Sequence, residues 1–328
     1  MSQIHAIRVH QLGGPDQLRY EPVEVGSPGA GEARVRHTAI GLNFTDVHFR
    51  TGRYPLPSLP HVLGMEGAGV IEELGPHPEA GLAVGDRVAY SSDQPRSYAQ
   101  ATVMPTRRLI KLPASVSDEL GAALILKGLT AQYLIRAAYE VRAGETILIQ
   151  AVAGGVGLIM CQWAKSLGAS VIGTVSTDDK AALARQHGCD HVIVYTREDL
   201  VARVREITGG AMLPVGYDGV GASSFEQSLL CLRRRGLAVS YGSASGVLPP
   251  LELFRLNRMG SLYVTSAGLA DYTSSRAELL ERAADLFGVV ASGAVRVEIQ
   301  QRYPLAEAAR AHRDLEARRT SGSSILIP

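Results

Sequence analysis

Over roughly the first hundred residues, apolar and polar positions alternate in short runs: "IHAIRVH", "EARVRHTAI", "GAGVIEELG", "DRVAYS" and "YAQATV", each stopped by glycine or proline. A period of two turns one face inward and the other outward, so Ile4 to about Leu112 is expected to form a β-rich, partly barrel-like unit. From about Ser117 the rhythm changes. The short apolar runs "TILIQ", "SVIGTVS", "HVIVY", "PVGYDGV" and "LAVSYG" alternate with segments of helical periodicity such as "TDDKAALARQHG" and "REDLVARVREITGG". Five strands separated by helices predict a parallel, doubly wound sheet covered on both faces. The regularity ends near "GSLYVT", which reads as an edge strand able to pair across a two-fold. The amphipathic "RAELLERAADLFGVVASG" and the residues after it are expected to rejoin the first unit. The expected domains are therefore 1–124 with 267–328, and 125–266.

The first strand of the second unit ends in "AVAGGVG", Ala151 to Gly157. Glycine is common in strand-to-helix turns for steric reasons alone, so the cluster means little without its context. Here the helix that follows places Val156, Ile159, Met160, Trp163 and Leu167 on one apolar face. Gly154, Gly155 and Gly157 would let the main chain approach a pyrophosphate, which the helix N-terminus attracts with unpaired N–H groups. A dinucleotide is the expected ligand. NAD specificity requires a carboxylate at the tip of the next strand, but Ser176 stands there, and Lys180 four residues on can meet a 2′-phosphate as a point charge. Asp178 and Asp179 come after the tip and read as first-turn acids of a helix. NADPH is expected rather than NADH.

Charge and composition narrow the partners. Lys and Arg number 33 against 32 Asp and Glu, a net charge of +1, so no overall field recommends nucleic acid or an anionic membrane. The densest basic run, Arg233 to Arg235, reads as a solvated helix end. Cys161, Cys189 and Cys231 are far apart and lack the spacing of a zinc knot or a redox dithiol. The N-terminus "MSQIHAIRVHQLGG" lacks a long apolar core, and nowhere do 18 uninterrupted apolar residues occur. A cytoplasmic protein is expected.

The segments "GLNFTDVHFRTGRYP", "LGMEGAGVIEELG", "LKGLTAQYLI", "AVAGGVGLIMCQWAKSLGASVIGTV", "YDGVG", "CLRRRGLAVSYG", "GSLYVT" and "GSSILIP" form an ordered series running nearly end to end. In that series the chain resembles the zinc-independent, zeta-crystallin-like quinone oxidoreductases of the medium-chain dehydrogenase/reductase superfamily, especially the bacterial NADPH:quinone reductases. The resemblance implies a GroES-like barrel domain beside a Rossmann domain. It also implies a dimer or tetramer, with a homodimer expected here. In the related zinc alcohol dehydrogenases a catalytic metal is held by Cys, His and Cys, and the matching positions here are Asn43, Met65 and Lys127. A charged ammonium cannot coordinate and a thioether is a poor zinc ligand, so no metal is expected. Glu66, beside Met65, reads as a structural hydrogen-bonding residue.

Without a metal, alcohol oxidation loses the Lewis acid that stabilises the alkoxide. A quinone accepts hydride directly, so the expected reaction is reduction of quinones by NADPH, with activated alkenes such as enones as the alternative. A non-catalytic role is a further alternative, since the wider family includes lens-structural and RNA-binding members. The resemblance places Asn43 and Tyr54 in a substrate cleft between the domains, with Asn43 also near the nicotinamide ribose of the coenzyme, and puts His48 where bacterial relatives commonly carry tyrosine. That departure leaves the proton donor open: His48 could stack or donate, or be a surface residue without a role. For the coenzyme, the resemblance implies Thr130, Gly155 and Val156 at the nicotinamide half and pyrophosphate. It implies Ser176, Lys180, Tyr195 and Arg318 around the 2′-phosphate. Gly219, Val220, Tyr241, Gly242 and Ser243 match loops that pass over the coenzyme, and Ser266 matches a contact to the nicotinamide amide. Asp218 reads equally well as a turn-forming residue.

Overall fold

The computed structural model describes residues 2–328, which divide into two compact units. The first comprises the chain up to Lys127 together with Ser274–Phe287 and Val297–Pro328; the second comprises Gly128–Thr273 and Gly288–Arg296.

The first unit is built on a seven-stranded sheet. Its spatial order is Ile299–Pro304, Ser323–Ile327, Glu32–Leu42, Glu66–Leu74, Arg87–Ser91 and Ile110–Lys111, with Ala101–Pro105 also paired to Glu32–Leu42. The long strand Glu32–Leu42 shows why the period-two pattern was readable: Ala33, Val35 and His37 point inward while Arg34 and Arg36 alternate outward. The alternation stops at Ala39, after which Ile40, Gly41 and Leu42 are all buried. At that end the strand passes Glu66 and enters Asn43. A second, three-stranded sheet pairs Ser2–Val9 with Leu18–Val25 and His61–Val62. Ile7, Val9, Ile40, Leu63, Tyr98 and Leu326 meet in the core beneath it.

The second unit is a six-stranded, wholly parallel sheet in the order His191–Val194, Ser170–Val175, Thr146–Ile149, Leu213–Asp218, Leu232–Ser240, Tyr263–Ser266. This is a doubly wound order, and its continuous apolar runs follow from burial on both faces. Ile147, Leu148 and Ile149 have no exposed surface. Tyr263–Ser266 adds a sixth strand at the sheet's edge, as its sequence led us to expect. One expectation is corrected. Arg233 to Arg235 do not end a helix: the helix Phe225–Leu230 stops at Cys231, and the arginines lie in the strand Leu232–Ser240. Leu232 pairs with Leu213 and the next paired residue is Leu237, opposite Val215, so the arginines bulge into solvent.

Candidate functional site

In the second unit the strand Thr146–Ile149 leads through a tight turn into the helix Gly155–Ser166. Ala151 holds a positive φ of 52°, and its carbonyl accepts from the Gly154 N–H at 2.9 Å. A Cβ on Gly157 would lie 2.7 Å from the Ala151 carbonyl oxygen and from the Val152 Cα, so only glycine permits this approach of helix to turn. The first bond of the helix runs from Leu158 N–H to the Gly154 carbonyl, leaving the amides of Gly155, Val156 and Gly157 ahead of the hydrogen-bonded ladder. No acidic side chain occupies this first turn. The donor set fits the pyrophosphate of a dinucleotide.

A chain of side chains absent from the sequence expectations braces the turn. The Thr174 hydroxyl accepts from Ala151 N–H at 3.1 Å and donates to Gln150 Oε1. Gln150 Nε2 donates to the Ser228 hydroxyl at 3.0 Å, and Ser228 donates to Asp218 at 2.8 Å. Asp218 is wholly buried and accepts from Val220 N–H, Gly221 N–H and the Ser224 hydroxyl. It therefore organises the turn that ends its strand. That turn carries Gly219 and Val220, and it packs against the loop of Tyr241, Gly242 and Ser243. A Cβ on Gly219 would strike the Tyr241 ring at 2.7 Å. The one signal for this brace in the sequence was a glutamine closing an apolar strand.

At the next strand tip, Ser176 follows Val175, and Tyr195 N–H donates to the Val175 carbonyl at 3.1 Å. Thr177 caps the helix Asp178–Gln186 by accepting from Lys180 N–H. Ser176, Lys180 and Tyr195 thus share one corner of this unit. Asp178 lies in the first turn of that helix in an ion pair with Arg197, which holds its carboxyl below the usual range. Arg318 belongs to the first unit, exposed, at a positive φ of 58° just beyond the helix Ala308–Glu316. Thr130 is buried near the end of the helix Asp118–Tyr133, and Ser266 closes the edge strand exposed.

In the first unit Asn43 caps the helix Phe44–Arg50, its N–H donating to Asp46 at 2.9 Å. Asn43 Nδ2 donates to Glu66 Oε2 at 2.8 Å, and Lys127 Nζ donates to the same oxygen at 3.0 Å. The other oxygen of Glu66 accepts from Leu126 N–H at 2.7 Å. Glu66 is wholly buried, and Gly41 leaves it room: a Cβ there would lie 2.1 Å from Oε2. Met65 packs against the core and offers only a thioether. With the carboxylate engaged by a cation and no thiolate or imidazole beside it, this donor set does not fit zinc. Among the described residues no group of three or more His, Cys, Asp or Glu could hold a metal ion.

Tyr54 is 38% exposed, with its ring edge-on to His48 at 5.0 Å and Phe49 at 5.4 Å. His48 is buried, which removes the surface alternative; burial and then the charge of Arg53 lower its pKa to about 4, so it is a neutral stacking group. The residues that went unnoticed lie behind it. Asp46 accepts from Tyr98 OH at 3.0 Å, Tyr98 meets His312 Nε2 at 3.0 Å, and Arg50 joins His312 Nδ1 to Glu316. Since Tyr98 donates to Asp46 and Arg50 donates to Nδ1, His312 carries its proton on Nε2 and is neutral. Burial, then Arg50, lowers its pKa to about 3. Burial, with a smaller push from the Glu66 charge, outweighs the donors around Asp46 and the charge of Lys127 and pushes its carboxyl up to about 7.

Residues 29–143 match the alcohol dehydrogenase GroES-like domain and residues 155–285 the zinc-binding dehydrogenase family. The chain is 50% identical to the quinone oxidoreductase of Pseudomonas aeruginosa over 98% of its own length and 99% of that protein's. The structure of Escherichia coli quinone oxidoreductase complexed with NADPH superimposes with a TM-score of 0.97 at 46% identity, covering 99% of this chain and all of that one. A 2-haloacrylate reductase from Burkholderia is 44% identical over 99% of each chain. With likeness of this extent, the chain belongs to the quinone oxidoreductase family of the medium-chain dehydrogenase/reductase superfamily.

Proposed function

We propose that this protein is a metal-independent NADPH:quinone reductase acting in the cytoplasm. The observation that carries the reading is the state of Glu66, whose charge is met by Lys127 and Asn43 where a Lewis-acid site would need ligands. NADPH, when bound, supplies hydride to an electron-poor acceptor. Gly154, Gly155 and Val156 present main-chain N–H groups to its pyrophosphate, and the loops of Gly219 with Val220 and of Tyr241, Gly242 and Ser243 cover it. Ser176, Lys180 and Tyr195 meet the 2′-phosphate, with Arg318 as a second cation for the same group. Thr130 and Ser266 serve the nicotinamide half. Asn43 and Tyr54 position the quinone, and flat binding rather than acid catalysis does most of the work.

A second reading, reduction of an activated carbon–carbon double bond, is favoured by the 2-haloacrylate reductase relative. Both acceptors are flat with a polarised carbonyl. The edge strand Tyr263–Ser266 exposes Tyr263, the helix Leu253–Arg258 that precedes it in the chain exposes Leu253 and Phe254, and we propose that the strand pairs with a second copy to make a homodimer. No helix among the described residues is long and apolar enough to cross a membrane. The test is turnover of 1,4-benzoquinone or a naphthoquinone, followed by loss of NADPH absorbance, beside a panel of 2-alkenals. Quinone turnover should persist with a chelator present, in a protein that sediments as two chains. Dependence on added zinc, or turnover of alkenals alone, would overturn the quinone reading.

A further inference from the structure

The chain has four lysines, and Lys127 is the one that is buried. Its ammonium makes one hydrogen bond, to Glu66, and its side chain keeps 7% of its surface exposed. An ammonium carries three N–H donors, so two remain uncommitted among the described residues. Stability does not account for the pair. Taking both charges out of water costs about as much as their attraction returns, and an apolar pair of the same volume would hold the unit as well or better. Glu66 is an acceptor only, and three donors from Leu126, Asn43 and Lys127 already occupy its two oxygens. Of the uncommitted donors in the cluster, two belong to the ammonium and one to the Asn43 carboxamide, which shares its acceptor, and only the ammonium carries a charge.

We propose that Lys127 is a catalytic residue whose spare N–H groups donate to the carbonyl oxygen of the acceptor and hold the negative charge that develops there. The proposal rests on the quinone-reductase reading. Hydride from NADPH brings two electrons and one proton to the quinone. One carbonyl oxygen becomes the oxyanion of a hydroquinone monoanion, and a proton from water completes the hydroquinone. Lys127 stays protonated throughout. Its contribution is a fixed positive charge aimed at the oxygen, the electrostatic task that a metal performs in the zinc relatives. Asn43 and Glu66 act through it, as positioning residues that aim the ammonium.

The probe is 4-nitrophenol, whose flat ring carries either a hydroxyl or an oxyanion, bound to the coenzyme-free full chain and followed by its absorbance. The wild-type protein should bind the phenolate at least tenfold more tightly than the phenol. Glu66→Gln removes the competing negative charge while leaving a neutral acceptor, and should raise phenolate affinity severalfold. The double variant Lys127→Met, Glu66→Gln has no buried charge left unpaired, so it keeps the fold where a single substitution fails, and it should lose the preference for the anion. Its kcat with 1,4-benzoquinone should fall about a hundredfold, the scale of one lost oxyanion donor, while its affinity for NADPH stays unchanged. An anion preference that survives in the double variant, or one absent from the wild type, overturns the role of Lys127. Failure of the wild type to turn over any quinone overturns the underlying reading instead.

Discussion

At the glycine turn of the second unit the groups on offer are main-chain amides, held by a turn and a helix adjacent in sequence; around Glu66 in the first unit they are side chains drawn from Asn43, Glu66 and Lys127. The first region depends on the absence of side chains, since any Cβ at Gly157 would strike backbone atoms. The second depends on which side chains are present, because their charges must balance inside a buried cluster. A main-chain site tolerates almost any polar sequence nearby but no added atom at its glycines. A side-chain site tolerates changes of shape better than changes of charge.

The sharpest way to break this comparison is Gly157→Ala. Its Cβ meets backbone on two sides at 2.7 Å, and backbone cannot step aside as a flexible side chain can. NADPH affinity should fall at least a hundredfold, a loss of about 3 kcal/mol, measured by quenching of protein fluorescence. Near-normal binding would show that the turn relaxes, and the claim of a backbone-made site would fail. A smaller effect is expected where recognition passes from main chain to side chain. Charge reversal of Lys180 together with Arg318 should raise the KM for NADPH some tens of fold, about 2 kcal/mol, and leave the KM for NADH nearly unchanged. Equal effects on the two coenzymes would remove the 2′-phosphate from these residues.

The same contrast explains what could be read before the structure was seen. The doubly wound sheet was legible because strands buried on both faces are continuous apolar runs, and the turn because strand, glycines and helix are consecutive. Asp218 as a turn-former was legible from its place at a strand end. The brace of Thr174, Gln150 and Ser228 was not, because each residue taken singly is an ordinary polar position. Still less legible was the contact of Arg50 with His312, 262 residues apart, since nothing local marks either as a partner. Arg233 to Arg235 misled because a basic run suits a helix end, whereas the bulge that exposes them depends on register with a neighbouring strand.

The smallest predicted effect sharpens the comparison by isolating one charge of the side-chain region. Asp46, wholly buried, has its carboxyl pushed up to about 7 by desolvation, against an ordinary value of 3.8. Between those two values the folded chain keeps a proton that the unfolded chain has released. Stability therefore falls as pH rises through that window, and the loss is complete above pH 7. His37, His48 and His312 act with the opposite sign. Burial lowers them to about 4, 4 and 3 from 6.5, so the unfolded chain takes up protons first and stability falls as pH drops below 6.5. Asp46→Asn retains an acceptor for Asn43 N–H and Tyr98 OH but has no proton to lose, while the histidine contributions are common to both proteins and cancel in the difference. Urea melts at pH 6 and pH 8 should show the variant gaining on the wild type by about 1–2 kcal/mol as pH rises. A difference that is flat with pH would mean that Asp46 is ionised in the fold at neutral pH, with its charge met by Lys127, and that the side-chain region holds two buried carboxylates against one ammonium.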